Sequence, residues 1–383
     1  MASKIQLRAA ISVAILYLGL LFILTAIAAG AEERQIFLQV VGPDGNPLPR
    51  ARVYQYYAMH YNQQHGKEYI CDINGWVELD EKKLFQSDQN SQGVWLYGLY
   101  DDKLAGFEDV NADDLDKELQ MRLSPACRLS GTVESTELYN LGQELELTDV
   151  FICRDHVKLL ACLNKKAEFE FLLPPGVYNL NVSGKRISTE YEDIVLEPGQ
   201  KDLELNYDIP AGRLSRLIGK DAPEFKQIKG WLNSDPMNLS DLRGHVILLA
   251  FFRTCCHVSA GPIPKLAQLH EKYRDKGLVI IAVHPDAVVN SIEQMQEKIN
   301  KLSKCCWNDV NIPFAVALDG GGNCVIEGTK QTAQGATTAA YGINSFPTMV
   351  LIDKQGRVVN DFYPDANNPL LEKLLAAEVN NTP

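Results

Sequence analysis

The sequence holds nine cysteines in 383 residues yet contains no Cys-x-x-Cys. That absence removes the ligand spacing of zinc ribbons and of c-type haem attachment. Positive charge is scarce as well: 37 Lys and Arg stand against 49 Asp and Glu, a formal net charge of −12. Phosphate neutralisation needs clustered Lys and Arg, so the chain is not built for nucleic acid. The acidity serves solubility. The Gly-rich "DGGGN" at 319–323 lacks the Lys-Ser/Thr that completes a phosphate loop. The acidic stretch 101–119 lacks the EF-hand ligand spacing that joins a central Gly to a final Glu, and reads as a solvated face or loop. No low-complexity tract interrupts the chain, which is long enough for two or three domains.

What is present begins with an N-terminal apolar run. Lys4 and Arg8 precede an uncharged stretch over 9–30, and the small residues Ala29, Gly30 and Ala31 stand just before Glu32 and Glu33. Small residues there fit a cleavage site, while the length of the run is enough to span a bilayer. Residues 1–31 are therefore a signal peptide or a membrane anchor. In both cases the charge asymmetry keeps the N-terminus inside and sends the rest across. The expected location is the periplasm or cell envelope, tethered to the inner membrane through the N-terminal segment if that segment is not cleaved. Disulfides persist in such a compartment, and nine is an odd number, so at least one thiol is free or pairs with another molecule.

From 36 to 208 short alternating strands are punctuated by turn residues. "QIFLQVVGPDGNPLPRARVYQYY" reads as strand, turn, strand, and "YICDINGWVEL" repeats the pattern around Asn74-Gly75. Phe169 and Phe171, then Tyr178, Leu180 and Val182, alternate with polar residues as half-buried strands do. The segments "VVGPDGNPLPRARVYQYY" and "AEFEFLLPPGVYNLNVSG" resemble the opening and closing hairpins of carboxypeptidase regulatory-like β-sandwich modules. The resemblance implies two such modules, over 32–125 and 126–209, and a structural or adhesive accessory role for them.

After a linker at 210–216 the period changes. "HVILLAFF" and "GLVIIAVH" are continuous apolar runs of strand length. A helix is expected over 259–276, with Ile263, Leu266, Leu269 and Tyr273 on one face, and another in "SIEQMQEKINKL". "TAAYGI" ends a further helix, "PTMVLID", "KQGR" and "VVNDFY" form a hairpin, and "NPLLEKLLAAE" closes the chain as an amphipathic helix. Strands alternating with helices give an α/β layer structure. The fold class expected is thus multidomain: N-terminal all-β sandwich modules followed by a C-terminal α/β domain over 217–383.

The chemistry concentrates in "FFRTCCHVSAGPIP" at 251–264. Cys256 stands where a buried strand ends and a helix begins, so helix N–H groups and the macrodipole favour its thiolate. His257 adds positive charge when protonated. A lowered thiol pKa at an accessible corner is what thiol–disulfide exchange needs.

This segment resembles the active site of thioredoxin-like proteins, Trp-Cys-x-x-Cys with a Pro five residues on. Laying Pro264 on that Pro puts Cys256 at the first Cys, Ser259 at the second and Cys255 at the Trp. "NSFPTMVLIDKQGRVV" resembles the family's cis-proline loop and hairpin, which places Pro347 at the cis-Pro beside the substrate groove. "IGKDAPEF" and "NLSDLRGHVILLAFF" resemble the lead-in of exported thiol–disulfide oxidoreductases and of the alkyl hydroperoxide reductase/thiol-specific antioxidant group. The resemblance implies thiol–disulfide exchange with protein thiols and disulfides or a small-molecule thiol, no cofactor and no metal.

Ser259 departs from the family, since a hydroxyl cannot form the disulfide that resolves a mixed disulfide. Either Cys256 works as a monothiol, or another thiol resolves it, Cys255, Cys305, Cys306 or Cys324, or the fold is kept as a redox-inactive binding scaffold. A Cys255–Cys256 disulfide is strained because adjacent Cα atoms are about 3.8 Å apart. Cys324 lies in the glycine loop "LDGGGNCVIEG". A peroxidase fits poorly: Thr254 stands two residues before Cys256 instead of three, and the preceding Pro is missing. Three consecutive residues, Cys255, Cys256 and His257, cannot easily converge on one tetrahedral ion.

Overall fold

The computed structural model describes residues 35–56, 67–80, 93–111, 114, 117–154, 157–160, 167–255, 257–285, 289–365 and 367–378. The N-terminal segment 1–31 and Cys256 lie outside the described residues. The chain divides into two compact units, one of Met1–Val133 with Asp149–Val182 and Tyr191–Tyr207, the other of Glu134–Thr148 with Ser183–Glu190 and Asp208–Pro383.

The first unit is strand-rich. Gln35–Val41 pairs antiparallel with Trp76–Asp80 and parallel with Glu118–Arg122. A five-stranded sheet runs in the order Glu68–Ile70, Arg52–Tyr56, Gly93–Tyr100, Leu104–Asn111, Ser124–Pro125. Both sheets feed one core, with Ile36, Leu38 and Val40 from the first and Val53, Leu96 and Val110 from the second. Farther along, Phe169 and Phe171 on Glu168–Leu173 and Tyr178, Leu180 and Val182 on Gly176–Gly184 are buried, as their alternation with polar residues requires. The acidic stretch 101–119, expected as a solvated face or loop, contains a strand: Leu104–Asn111 pairs along its whole length with Gly93–Tyr100. Burial of Ala105 and Val110 outweighs the acidic neighbours that suggested solvent.

In the second unit we label six strands: β1 (Ile228–Leu232), β2 (Val246–Phe251), β3 (Leu278–His284), β4 (Ala315–Asp319), β5 (Thr348–Ile352) and β6 (Val358–Asp361). They form one mixed sheet in the order β1-β4-β3-β2-β5-β6. β2 and β4 run parallel to β3, and β5 runs antiparallel to β2. Every residue of β2 is buried. Val246, Leu248 and Ala250 face a core shared with Leu266 and Leu269 of one helix and Met295 and Ile299 of another. Ile247, Leu249 and Phe251 face the opposite core, with Tyr341 and Ile343. This is the two-sided burial that makes an uninterrupted apolar strand.

Beyond the short helices Thr136–Asn140 and Arg213–Leu217, we label in this unit α1 (His257–Ala260), α2 (Ile263–Tyr273), α3 (Ile292–Cys306), α4 (Ala336–Tyr341) and α5 (Asn368–Ala376). The helix expected over 259–276 is broken at Gly261-Pro262, where Pro262 and Pro264 supply no N–H, and α2 starts beyond the break. α3 begins at Ser291, whose hydroxyl accepts the Gln294 N–H at 3.3 Å, and runs farther than its apolar stripe indicated, through Cys305 and Cys306.

The thiols sort by burial. Cys71 is 3% exposed within the N-terminal core, and burial pushes its thiol up to about 12. Cys127 is 1% exposed and its thiol is also raised, first by burial. Cys255, Cys305 and Cys306 are exposed. Native protein treated with iodoacetamide at pH 8 should therefore be alkylated at Cys255, Cys305 and Cys306 while Cys71 and Cys127 stay unmodified until denaturant is added. Rapid native labelling of Cys71, read by peptide mass spectrometry, would contradict this packing.

Candidate active site

Strand direction decides what meets at the end of β2. Phe251 pairs with Val283 near the end of the parallel β3 and with Thr348 at the start of the antiparallel β5. The loop leaving β2, the loop leaving β3 and the loop entering β5 therefore share one end of the sheet. The loop entering β5 contains a cis peptide between Phe346 and Pro347. The Thr348 hydroxyl donates to the Ser345 carbonyl at 2.8 Å and closes the turn. Ser345 and Thr348 also line a cavity of about 410 Å³, together with Arg186, Gly212, Ile343 and Tyr363.

The loop leaving β2 is tied down by buried polar groups. Ser259 is 1% exposed, and its hydroxyl oxygen accepts the Arg253 backbone N–H at 2.7 Å. The next residue is held by β3: His284, fully buried, places Nε2 3.3 Å from the Thr254 N–H and 3.0 Å from its hydroxyl. Phe252 meets the His284 ring edge-on at 5.1 Å. The Arg253 guanidinium lies over the Phe346 ring, 4.4 Å from its centre. That contact links the Cys255–His257 loop to the loop of Pro347. Cation and ring attract at this distance through the ring quadrupole.

The predicted site residues are thus distributed as follows. Ser259, expected at the position of the second cysteine, spends its oxygen on the loop backbone. Pro347 stands in the adjoining loop. Cys255 is exposed in the turn before Cys256, and His257 is exposed immediately after it. Cys324 lies elsewhere. It sits on the strand Asn323–Val325, opposite Ala333 of Thr332–Gln334, with its Sγ 3.4 Å from the Gly321 carbonyl. This ribbon follows β4, two strand positions from β2, a lateral step of about 10 Å. Asp319 anchors it by accepting the N–H groups of Thr337 and Thr338 at 3.0 and 2.7 Å. Gly335, at φ +93°, leaves room for that carboxylate, because a Cβ there would fall 2.1 Å from Asp319 Oδ2.

Two features went unread in the sequence. Phe346 gives Arg253 a stacking partner 93 residues away, which no local pattern signals. His257, expected to serve the Cys256 thiolate, has its Nδ1 3.2 Å from the Sγ of Cys306, at the end of α3. The Cys306 thiol is raised, chiefly by its hydrogen bond with Cys305 and then by desolvation.

Comparison with known proteins follows the same stretch of chain. The model of the AhpC/TSA family matches residues 218–361. The thiol-disulfide oxidoreductase ResA of Bacillus thuringiensis is 30% identical over 162 residues, covering 41% of this chain and 76% of that protein. Protein DipZ of Mycobacterium bovis is 29% identical over 164 residues, 42% of this chain and 21% of its own. Among solved structures, a thiol-disulfide isomerase from Corynebacterium glutamicum aligns at 22% identity with a TM-score of 0.32, over 41% of this chain and 98% of that one.

The geometry assigns Ser259 a measurable structural load. Ser259→Ala leaves the part-buried Arg253 N–H without its acceptor, a cost of about 1 kcal/mol. Chemical denaturation followed through the C-terminal unit should show the midpoint fall accordingly. An unchanged midpoint would mean that the loop does not depend on this bond.

Proposed function

Through residues 218–361 the chain belongs to the AhpC/TSA family, and from that membership we propose that it is an exported enzyme exchanging thiols and disulfides through Cys256. Its C-terminal domain is a thioredoxin-like oxidoreductase. The observation that carries the reading is the meeting of two loops at one end of the sheet. The Arg253 guanidinium lies against Phe346, so the loop bearing Cys255 and His257 borders the loop of the cis Phe346–Pro347 peptide.

In this function Cys256 is the nucleophile. Its thiolate attacks one sulfur of a substrate disulfide, forming a mixed disulfide and releasing the other sulfur as a thiol. Pro347 shapes the groove in which an extended substrate peptide lies, with backbone beside the proline pairing to it. Ser259 holds the loop and takes no part in electron transfer. Protein thiols and disulfides, or a small-molecule thiol, are the partners. The segment 1–31 directs export to the cell envelope as a signal peptide or as an anchor. The strand-rich region divides into β-sandwich modules over 32–125 and 126–209, the second carboxypeptidase regulatory-like, joined at 210–216 to the oxidoreductase domain over 217–383.

A redox-inactive scaffold is the rival, and substitution separates the two. Cys256→Ser should lower disulfide-reductase turnover of the full chain at least a hundredfold, whereas Cys255→Ser retains measurable turnover. Full activity in Cys256→Ser would mean that another sulfur does the chemistry, and no turnover in the unaltered protein would favour the scaffold.

A further inference from the structure

A disulfide exchanger without a second cysteine in its motif needs a partner sulfur from elsewhere to finish a cycle within one chain. Cys305 and Cys306 close helix α3, and both are exposed. Their side chains are absent from the hydrophobic core that the same helix feeds through Met295, Ile299 and Leu302. Two adjacent thiols kept out of the core at a helix end need a reason other than packing.

Position supplies the reason. The Cys306 Sγ lies 3.2 Å from His257 Nδ1, and His257 is bonded directly to Cys256. The Cys306 sulfur is therefore in contact with the residue that follows Cys256 in the chain. The other thiols are worse placed. Cys255 is adjacent in sequence, and that spacing falls below the roughly 4.4–6.8 Å that disulfides span. Cys324 is held in its ribbon two strands away, with its sulfur on the Gly321 carbonyl. Ser259 has no sulfur to offer.

We infer that Cys306 is the resolving thiol for Cys256, with His257 receiving its proton. This rests on Cys256 being the nucleophile, as proposed above. In the first step the Cys256 thiolate attacks a substrate disulfide, the substrate S–S bond breaks, and one substrate thiolate leaves and is protonated. In the second, the Cys306 S–H proton passes to His257 Nδ1 and the Cys306 sulfur attacks Cys256 Sγ. The mixed disulfide breaks, the second substrate thiolate leaves and takes up a proton, and a Cys256–Cys306 disulfide forms. The substrate disulfide has gained two electrons and the two cysteines have lost two. An external dithiol, dithiothreitol in the assay below, returns the pair to thiols. The raised Cys306 thiol is still protonated at neutral pH, which is why a base in contact with it matters.

The test is a single turnover of the reduced full-length chain with one equivalent of oxidised glutathione, quenched in acid at intervals and mapped by fragmentation mass spectrometry. In the unaltered protein the glutathione adduct on Cys256 should give way to a Cys256–Cys306 disulfide, which dithiothreitol then reverses. In Cys306→Ala the adduct on Cys256 should persist at least tenfold longer, while in Cys305→Ala it should still resolve. Resolution in Cys306→Ala at the unaltered rate, or a disulfide from Cys256 to Cys255 or Cys324, would overturn the role of Cys306 and leave Cys256 as nucleophile. Absence of any adduct on Cys256 in both proteins would instead overturn the nucleophile, and this inference with it.

Discussion

Strand β2 is buried on both faces, and the site inherits its position from that burial. Six consecutive apolar side chains divide between two cores, and each of the five larger than alanine is worth about 1.5–3 kcal/mol when fully buried. A strand held in this way cannot slide, because a shift of one residue would exchange the two faces. The chain must therefore leave the sheet at Phe252, and the next residues are fixed by neighbours that β2 itself positions. His284 at the end of β3 receives Thr254, and Phe346 at the entry to β5 receives Arg253. The reactive loop is thus held from both sides by the strands that flank β2.

Ser259 gives that loop a different character from a dithiol site. Its buried hydroxyl secures the Arg253 N–H, so the side chain stabilises the conformation of the loop. The remaining cysteines divide on the same physical ground. Cys71 and Cys127 behave as small buried hydrophobes whose thiols are raised by desolvation. Cys255, Cys305 and Cys306 are open to solvent, and Cys306 touches His257, the residue that follows Cys256 in the chain.

Much of the C-terminal domain was legible because its signals are local. Apolar runs marked β2 and β3, and the "KQGR" turn marked the β5–β6 hairpin. The helix after Cys256 was misjudged where Gly261-Pro262 interrupts a periodic pattern, since apolar spacing continues across a backbone that cannot. The acidic strand Leu104–Asn111 was hidden because charge on its exposed face masked the burial of Ala105 and Val110. The Cys306–His257 contact spans 49 residues and depends on where α3 ends, which its apolar stripe does not specify.

The account stands or falls on the state of Cys256. The most direct measurement is its alkylation rate against pH, followed on the peptide that carries it by mass spectrometry. A working nucleophile should titrate below the ordinary thiol value of about 8.5, so that the rate is already near its plateau at neutral pH. A Cys256 that reacts slowly and titrates at or above that value would contradict the enzyme described here.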